Sequence, residues 1–348
     1  MSDPIEGAQP CPLVSVLMPV RNEEQHVVAA ITSVLQQQVS FELLVIDGMS
    51  SDRTIERVME IADDRVRVLR NPQRTIPAAL NVGLSHANGE FVARIDAHAR
   101  VNPEYLRIGV GQLDDPGVAA AGGIRIAVAD TATGQAIAAA LSSPFGVGNS
   151  INHYADEAQD TDHASFGVYR KSVAAEIGGW DENLLVNEDV DFDHRIALSG
   201  HRIRFDPTMK IYWQVRESLP AFARQYRRYG RGKAGMVRKN GSAAIRARHL
   251  AAPALVAMLA TAAIAGLSGR RRTAFTLVTP YLAAVTAATM KTRRTGRLSD
   301  REISLIPLVL SFVTMHLTWG LGFIEGLLFR RPPVAATARD PRSGNRSN

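Results

Sequence analysis

Along the first third of the chain, strand-like and helix-like hydrophobic periods alternate. Residues 13–20 form an apolar run of strand length, and Val27, Val28, Ile31, Val34 and Leu35 follow at helical spacing. Residues 41–47 repeat the strand pattern and run into Gly48, Met49, Ser50, Ser51 and Asp52, a turn-and-cap cluster that opens a helix to about Ala62. Residues 65–70 alternate as a third strand, Pro77 to His86 suits a helix, and residues 90–96 supply a fourth strand. The order is βαβαβαβ, an α/β class with a mostly parallel sheet. Right-handed crossovers then put the strand ends, and with them Pro19 to Glu23, Asp47 and Asp96, along one edge. Such a sheet accommodates almost any ligand.

From Leu250 the pattern changes to apolar runs at residues 250–267, 274–290 and 303–329, separated by Arg270, Arg271 and Arg272 and by the polar stretch 291–301. The last is long enough to cross about 30 Å of hydrocarbon, whereas the first two are Ala-rich and marginal. Together they read as a membrane anchor. Three full spans behind a cytoplasmic first domain put Arg270 to Arg272 outside, against the positive-inside tendency; a re-entrant pair before one true span keeps them inside. Both arrangements fit the pattern. His316 and Glu325 mark a lipid-headgroup path in the last run, Glu325 near enough to its end to snorkel. The predicted organisation is a tail over 1–12, an α/β domain over 13–215, a basic amphipathic region over 216–249, membrane-embedded helices over 250–329 and a disordered tail over 330–348.

Charge also divides the chain, near residue 210. Residues 1–209 carry 29 acidic against 16 basic side chains, and residues 210–348 carry 24 basic against 5 acidic. An acidic domain followed by a basic, apolar one points to anionic lipid as a partner. Nucleic acid is set aside, because the basic residues flank apolar runs without an RNA-binding or zinc-finger signature. The single cysteine, Cys11, rules out an intramolecular disulfide and fits a reducing compartment. The polar start lacks signal-peptide design, so the first domain is expected to remain cytoplasmic, on the inner membrane.

Asp96 and His98 stand two residues apart after an apolar run, a carboxylate and an imidazole able to hold Mn²⁺ or Mg²⁺ against a diphosphate; a strand-ending helix cap is the plainer alternative. Asp47, at the end of a buried strand, can accept the imide N–H of uracil, and Glu23 can take ribose hydroxyls. Both are equally unremarkable as caps. Arg74 lies in a loop from which a phosphate or a base is in reach, as is solvent. Neither a P-loop nor a Gly-x-Gly-x-x-Gly stretch follows the first strand, against an ATPase or a dinucleotide enzyme. Glu188, Asp189, Asp191 and Asp193 read as an acidic helix start favoured by the helix dipole, and like charges so close also raise a pKa in a way that suits a general base. Trp180 offers an apolar face to a sugar ring or to the core. Arg228 and Arg231, one helical turn apart, can share a phosphate or lie on lipid. Residues 131–162, with their Gly, Ser and Asn content, read as a specificity loop of open shape.

The order of these pieces carries more than any one of them. Met18-Pro19-Val20-Arg21-Asn22-Glu23-Glu24, the segment from Val45 to Thr54, Asn88-Gly89-Glu90 ahead of Asp96, residues 166–170, Gly178-Gly179-Trp180-Asp181-Glu182 and Asn187-Glu188-Asp189 together resemble family 2 of the inverting glycosyltransferases, which have a GT-A fold. The likeness spans roughly residues 13–235. The Asp-Ala-His form is most similar to the ExoA-like, succinoglycan-biosynthesis branch; the family usually shows Asp-x-Asp, so His98 replaces the second acid. The resemblance implies nucleotide-sugar contacts at Pro19, Arg21, Glu23, Asp47, Arg74 and Asp96, a divalent metal at Asp96 with His98, and Asp189 as general base with Glu188 beside it. It further implies acceptor-side roles for Trp180 and Asp181. Gln225-x-x-Arg228-Tyr229 is similar to the Gln-x-x-Arg-Trp element of membrane glycan synthases, which implies that Gln225, Arg228 and Tyr229, with Arg231, meet the acceptor or a diphosphate. The expected activity is transfer of a hexose, glucose foremost, from a UDP-sugar to a lipid-linked glycan in exopolysaccharide or envelope synthesis, with polysaccharide-assembly proteins as partners. The alternatives are a processive synthase of the same fold and a non-catalytic nucleotide-binding scaffold.

Overall fold

The computed structural model describes residues 12–241, 245–295 and 303–329. Strands β1 (Val14–Val20), β2 (Phe41–Asp47), β3 (Val66–Arg70) and β4 (Phe91–Arg94) are mutually parallel and lie in the order β3-β2-β1-β4. The helices between them are α1 (Val27–Leu35), α2 (Thr54–Met59) and α3 (Ile76–His86). The crossover pattern read from hydrophobic periods is therefore present. Two details differ: α2 stops at Met59, ahead of Ala62 at φ 48°, and β4 ends at Arg94, so that Asp96 belongs to the turn beyond the strand.

The sheet then becomes mixed. β5 (Ala99–Val101) and α4 (Tyr105–Gln112) lead into β6 (Val118–Val128), and β7 (Gln159–Thr161), β8 (Val168–Arg170) and β9 (Arg202–Gln214) follow later in the chain. β8 is antiparallel to both β4 and β6, β6 runs parallel to β9, and β5 and β7 pair antiparallel with β9. Strand pleating sends alternate residues to opposite layers. Val16, Met18, Leu43 and Val45 face one core, whereas Leu17, Leu44 and Ile46 face the other, with Leu80, Trp180, Phe192 and Ile196. A polar staple joins the N-terminal ends: Ser15 donates to Glu42 at 2.7 Å, Glu42 also accepts from Asn88 N–H at 2.7 Å, and Gly89 N–H donates to Ser15 at 2.9 Å. A Cβ on Gly89 would stand 2.7 Å from the Ser15 nitrogen, so this turn requires glycine.

Residues 131–162 are not an open loop. They form α5 (Ala132–Leu141), capped by Thr131 Oγ1 accepting from Gly134 N–H at 3.0 Å, then α6 (Pro144–Val147), a 3-10 turn (Ile151–His153) and β7. The alanines of α5 are small enough to bring that helix against a helix from the far end of the chain. After α7 (Lys171–Glu176) and α8 (Glu188–Leu198), the long α9 (Leu219–Asn240) precedes α10 (Ala247–Leu267), α11 (Arg271–Thr295) and α12 (Leu305–Leu328). The last three contain segments long and apolar enough to cross a membrane, Arg248–Leu267, Arg271–Arg294 and Leu305–Leu328.

α12 does more than offer an apolar surface to lipid. Its Leu308, Phe312 and Met315 join the core that contains α5, and its glycines let α9 approach closely: a Cβ on Gly322 would overlap the Arg227 carbonyl, and one on Gly326 would crowd Ala234 at 2.6 Å. His316 has protein partners on both ring nitrogens. Its ring bonds the Phe145 carbonyl at 2.9 Å and the Tyr281 hydroxyl at 3.1 Å, tying α12 to α6 and α11.

Candidate active site

The ends of β1 and β2 form one wall of the cleft. Gly48 N–H donates to the Val20 carbonyl at 2.8 Å, Asn22 Oδ1 accepts from Ser51 N–H at 2.9 Å, and Thr54 Oγ1 accepts from Glu23 N–H at 2.7 Å. Asn22 and Met49 take positive φ, 57° and 61°, to make these turns. The buried Asp47 carboxylate closes its own turn by accepting from Ser50 N–H at 2.9 Å. Arg21 Nη1 reaches the carbonyl of Arg74, itself at φ 61°, at 3.4 Å, so the loop of Arg74 joins the edge on which the sequence predicts Pro19, Arg21 and Asp47.

At the centre of the cleft stands a residue that sequence reasoning passed over. Arg94 is 7 % exposed and holds two carboxylates at once: Nε and Nη2 meet Asp96 at 2.9 and 3.3 Å, and Nη1 meets Glu188 at 3.0 Å. Burial opposes its charge, but Asp96, Glu188 and Asp189 outweigh burial and keep it ionised. Burial likewise pushes Asp96 up, yet the Arg94 charge brings its pKa below the usual carboxylate range. An arginine inside the otherwise apolar β4 was the available signal.

His98 follows on the next turn, with Nδ1 3.3 Å from Glu23 Oε1. A carboxylate behind one ring nitrogen is the usual support for an imidazole that ligates metal through the other. Among the described residues no group of three His, Cys, Asp or Glu side chains could by itself hold an ion. Asp96, both of whose oxygens meet Arg94, and His98, backed by Glu23, are the two side chains here whose chemistry fits a divalent cation.

Opposite lies the start of α8, preceded by Asn187 at φ 63°. Its acidic run divides by function. Asp191 is consumed structurally by Arg195 at 3.0 Å, Asn240 at 2.8 Å and Lys239 at 3.1 Å, while Glu188 and Asp189 face the cleft side with Arg94. His163, from the segment before β8, stands between Asp193, 2.6 Å from Nδ1, and Asp189, 3.9 Å from Nε2. The fully buried Asp193 also accepts from Ala164 N–H at 2.8 Å, which fixes the pair. Burial lowers an imidazole pKa, but the two carboxylates outweigh it and His163 is raised. The expected repulsion between Glu188 and Asp189 falls on Glu188, which burial and Asp189 push up; Asp189, although penalised by burial, is brought down by His163 and Arg94. Asp193 belongs to the acidic run already visible in the sequence, one helical turn after Asp189, but His163 had no recognisable spacing to either. Arg125 is the third unforeseen residue: its guanidinium lies 4.3 Å over the Trp213 ring and its field reaches Asp96, Asp189 and His163.

Two predicted acceptor residues are corrected. Trp180 is 2 % exposed and stacked on Phe192, centroids 4.1 Å apart, with Tyr169 edge-on to both, so its ring belongs to the core and meets no sugar. Arg231 does not join Arg228 on a phosphate, because with Arg227, one turn earlier, it faces α12 and pairs with Glu325. That contact also replaces the snorkelling expected of Glu325. Asp181 is held by Lys239 at 2.6 Å. Gln225 donates to the Tyr229 hydroxyl at 3.0 Å, the Tyr229 carbonyl lies 3.5 Å from Asn187 Nδ2, and Arg228 is exposed beside them.

Residues 15–178 match the model of the Glycosyl transferase family 2. The chain is similar to the succinoglycan biosynthesis protein ExoA of Rhizobium meliloti (strain 1021), 28 % identical over 334 residues that cover 91 % of this chain and 96 % of that one. It is also similar to the dolichyl N-acetyl-alpha-D-glucosaminyl phosphate 3-beta-D-2,3-diacetamido-2,3-dideoxy-beta-D-glucuronosyltransferase of Methanococcus voltae, 24 % identical over 239 residues, 65 % of this chain and 74 % of that one. In fold it is similar to the mannosyltransferase PcManGT of Pyrobaculum calidifontis, solved in complex with GDP-Man and Mn²⁺, with a TM-score of 0.58 at 18 % identity over 94 % and 91 % of the two chains. The GT-A sheet and its acidic cleft lie within the stretch matched by that family model, and the likeness to ExoA runs nearly end to end: the chain is a glycosyltransferase whose residues 15–178 are a family 2 domain.

Proposed function

We propose that the protein transfers a hexose, glucose foremost, from a UDP-sugar to a lipid-linked glycan at the inner membrane, with its catalytic face in the cytoplasm and with inversion at the anomeric carbon. The observation that carries the reading is the joined set Asp96–Arg94–Glu188 with Asp189 and His163, which puts a donor-side carboxylate and an acceptor-side carboxylate on one buried guanidinium. The nucleotide lies along the β1 and β2 loops, with Asp47 toward the base and Arg74, Arg21 and Arg125 supplying positive charge. Asp96 and His98 would hold a divalent cation, which when bound would offset negative charge on the departing diphosphate. The acceptor oxygen forms its bond to the anomeric carbon as its proton passes to Asp189 and the bond to the nucleoside diphosphate breaks. Gln225, Arg228 and Tyr229 line the acceptor side. Relatives named for succinoglycan biosynthesis and for a dolichyl phosphate sugar support a lipid-linked acceptor.

The test is Asp189→Asn in the full-length protein, assayed with labelled UDP-sugars, Mn²⁺ and membrane lipid. Transfer should fall by about 10²- to 10⁴-fold, the usual worth of a general base, with UDP affinity within about threefold of wild type. Turnover at the wild-type rate would remove Asp189 from the chemistry.

A further inference from the structure

Where the start of α10 meets α8 and α9, cationic side chains gather with too little negative charge among them. Lys233 on α9 is 6 % exposed, and its ammonium has the Met236 thioether, at 3.5 Å, as its hydrogen-bond partner. Among the described residues no carboxylate stands at ion-pairing distance from it, since the nearby Asp191 is taken by Arg195, Lys239 and Asn240 and the nearby Asp162 by Arg246 and Arg248, at 3.0 and 2.8 Å. His194 on α8, within the field of Lys233, has a buried Nε2 with no partner. A buried ammonium without a counter-ion is costly, and burial together with the guanidinium of Arg248 brings Lys233 down to about 8. An anion here would remove that cost.

Two further facts say which anion. Arg248 is the first residue of a segment long and apolar enough to cross a membrane, which sets the cluster at the level of lipid headgroups. Asp162 precedes His163, the neighbour of Asp189, which sets the cluster next to the acceptor side of the cleft. We propose that Lys233, Arg246 and Arg248 form a binding site for the diphosphate of the lipid-linked acceptor, with Asp162 holding the two guanidiniums in place until it arrives. The proposal rests on the glycosyl-transfer reading above and deepens it. It also accounts for where a diphosphate goes once Arg231 is committed to Glu325.

Equilibrium binding of tritiated farnesyl diphosphate to the full-length protein in phosphatidylcholine nanodiscs tests it without turnover. Unlabelled farnesyl diphosphate should displace the label, excess inorganic pyrophosphate should compete weakly, and farnesol should not compete. Lys233→Met and Arg248→Gln should each weaken binding about tenfold or more, as loss of a charge-assisted contact does, and Lys233→Arg should stay within about threefold. UDP binding reports an intact fold; if Lys233→Met loses it, Arg248→Gln and Lys233→Arg decide. Wild-type affinity in the variants, or farnesol competing as well as its diphosphate, overturns the site. Pyrophosphate binding as tightly as farnesyl diphosphate assigns the cluster to a soluble anion and overturns the lipid assignment. A protein that binds farnesyl diphosphate through Lys233 yet transfers no sugar sinks the glycosyl-transfer reading and leaves the site standing.

Discussion

Asp189 owes its charge state to His163 and Arg94, and each makes a separate prediction. Held between Asp193 and Asp189, His163 keeps its proton to higher pH than a free imidazole, and its positive charge favours the ionised form of Asp189. In His163→Gln that cation is gone and Asp189 takes up its proton at higher pH, so with Asp189 in its proposed role the acid limb of kcat/KM should move upward; a pH–rate profile with an unmoved limb would detach His163 from Asp189. Arg94 neutralises Asp96 and Glu188 inside the protein. Arg94→Met leaves both carboxylates buried without a partner and should cost about 3–5 kcal/mol of stability, visible as a lowered Tm in the full-length protein. Neither residue advertised itself in the one-dimensional order. The pairs Asp189/His163 and Arg94/Glu188 are made by segments far apart in the chain, and only the sheet brings them together.

At the scale of elements, α9 and α12 behave as one unit. The apolar period of residues 303–329 announced a helix for a membrane but not its second face, where Leu308, Phe312, Met315 and Phe323 are buried against the catalytic domain. Small residues make that face possible: Gly230 and Gly322 let the two backbones approach until no Cβ fits between them. Gly322→Val should therefore force the helices apart at a cost of about 1–3 kcal/mol, the range for overpacking, and lower both Tm and transfer. Wild-type thermal stability in that variant would mean that α12 docks loosely. α5 shows the same limit of pattern reading, since its alanines carry little periodic signal while packing tightly against α12.

For the whole molecule, docking of α12 onto α5 and α9 changes what truncation does. Cutting before Leu250 looks, from the sequence, like a way to free the catalytic domain from membranes. In the fold it also strips the cover from α5 and α9, so residues 1–249 should aggregate or remain with detergent in size-exclusion chromatography, and a soluble monomer would contradict the shared core. What the sequence determined alone is local or near-local: the alternation of β1 to β4 with α1 to α3, the cleft edge with Asp47 and Asp96, the acidic start of α8 and the three apolar helices. Each depends on periodicity or on neighbours within a turn, which a linear chain displays. What the tertiary structure decided is which charges meet. It sent Trp180 to the core and Arg231 to Glu325, backed His98 with Glu23, and joined Arg94 and His163 to the cleft carboxylates Asp96, Glu188 and Asp189. Those pairings follow from burial, where a charge must find an opposite partner across space, and no spacing along the chain records which one it finds.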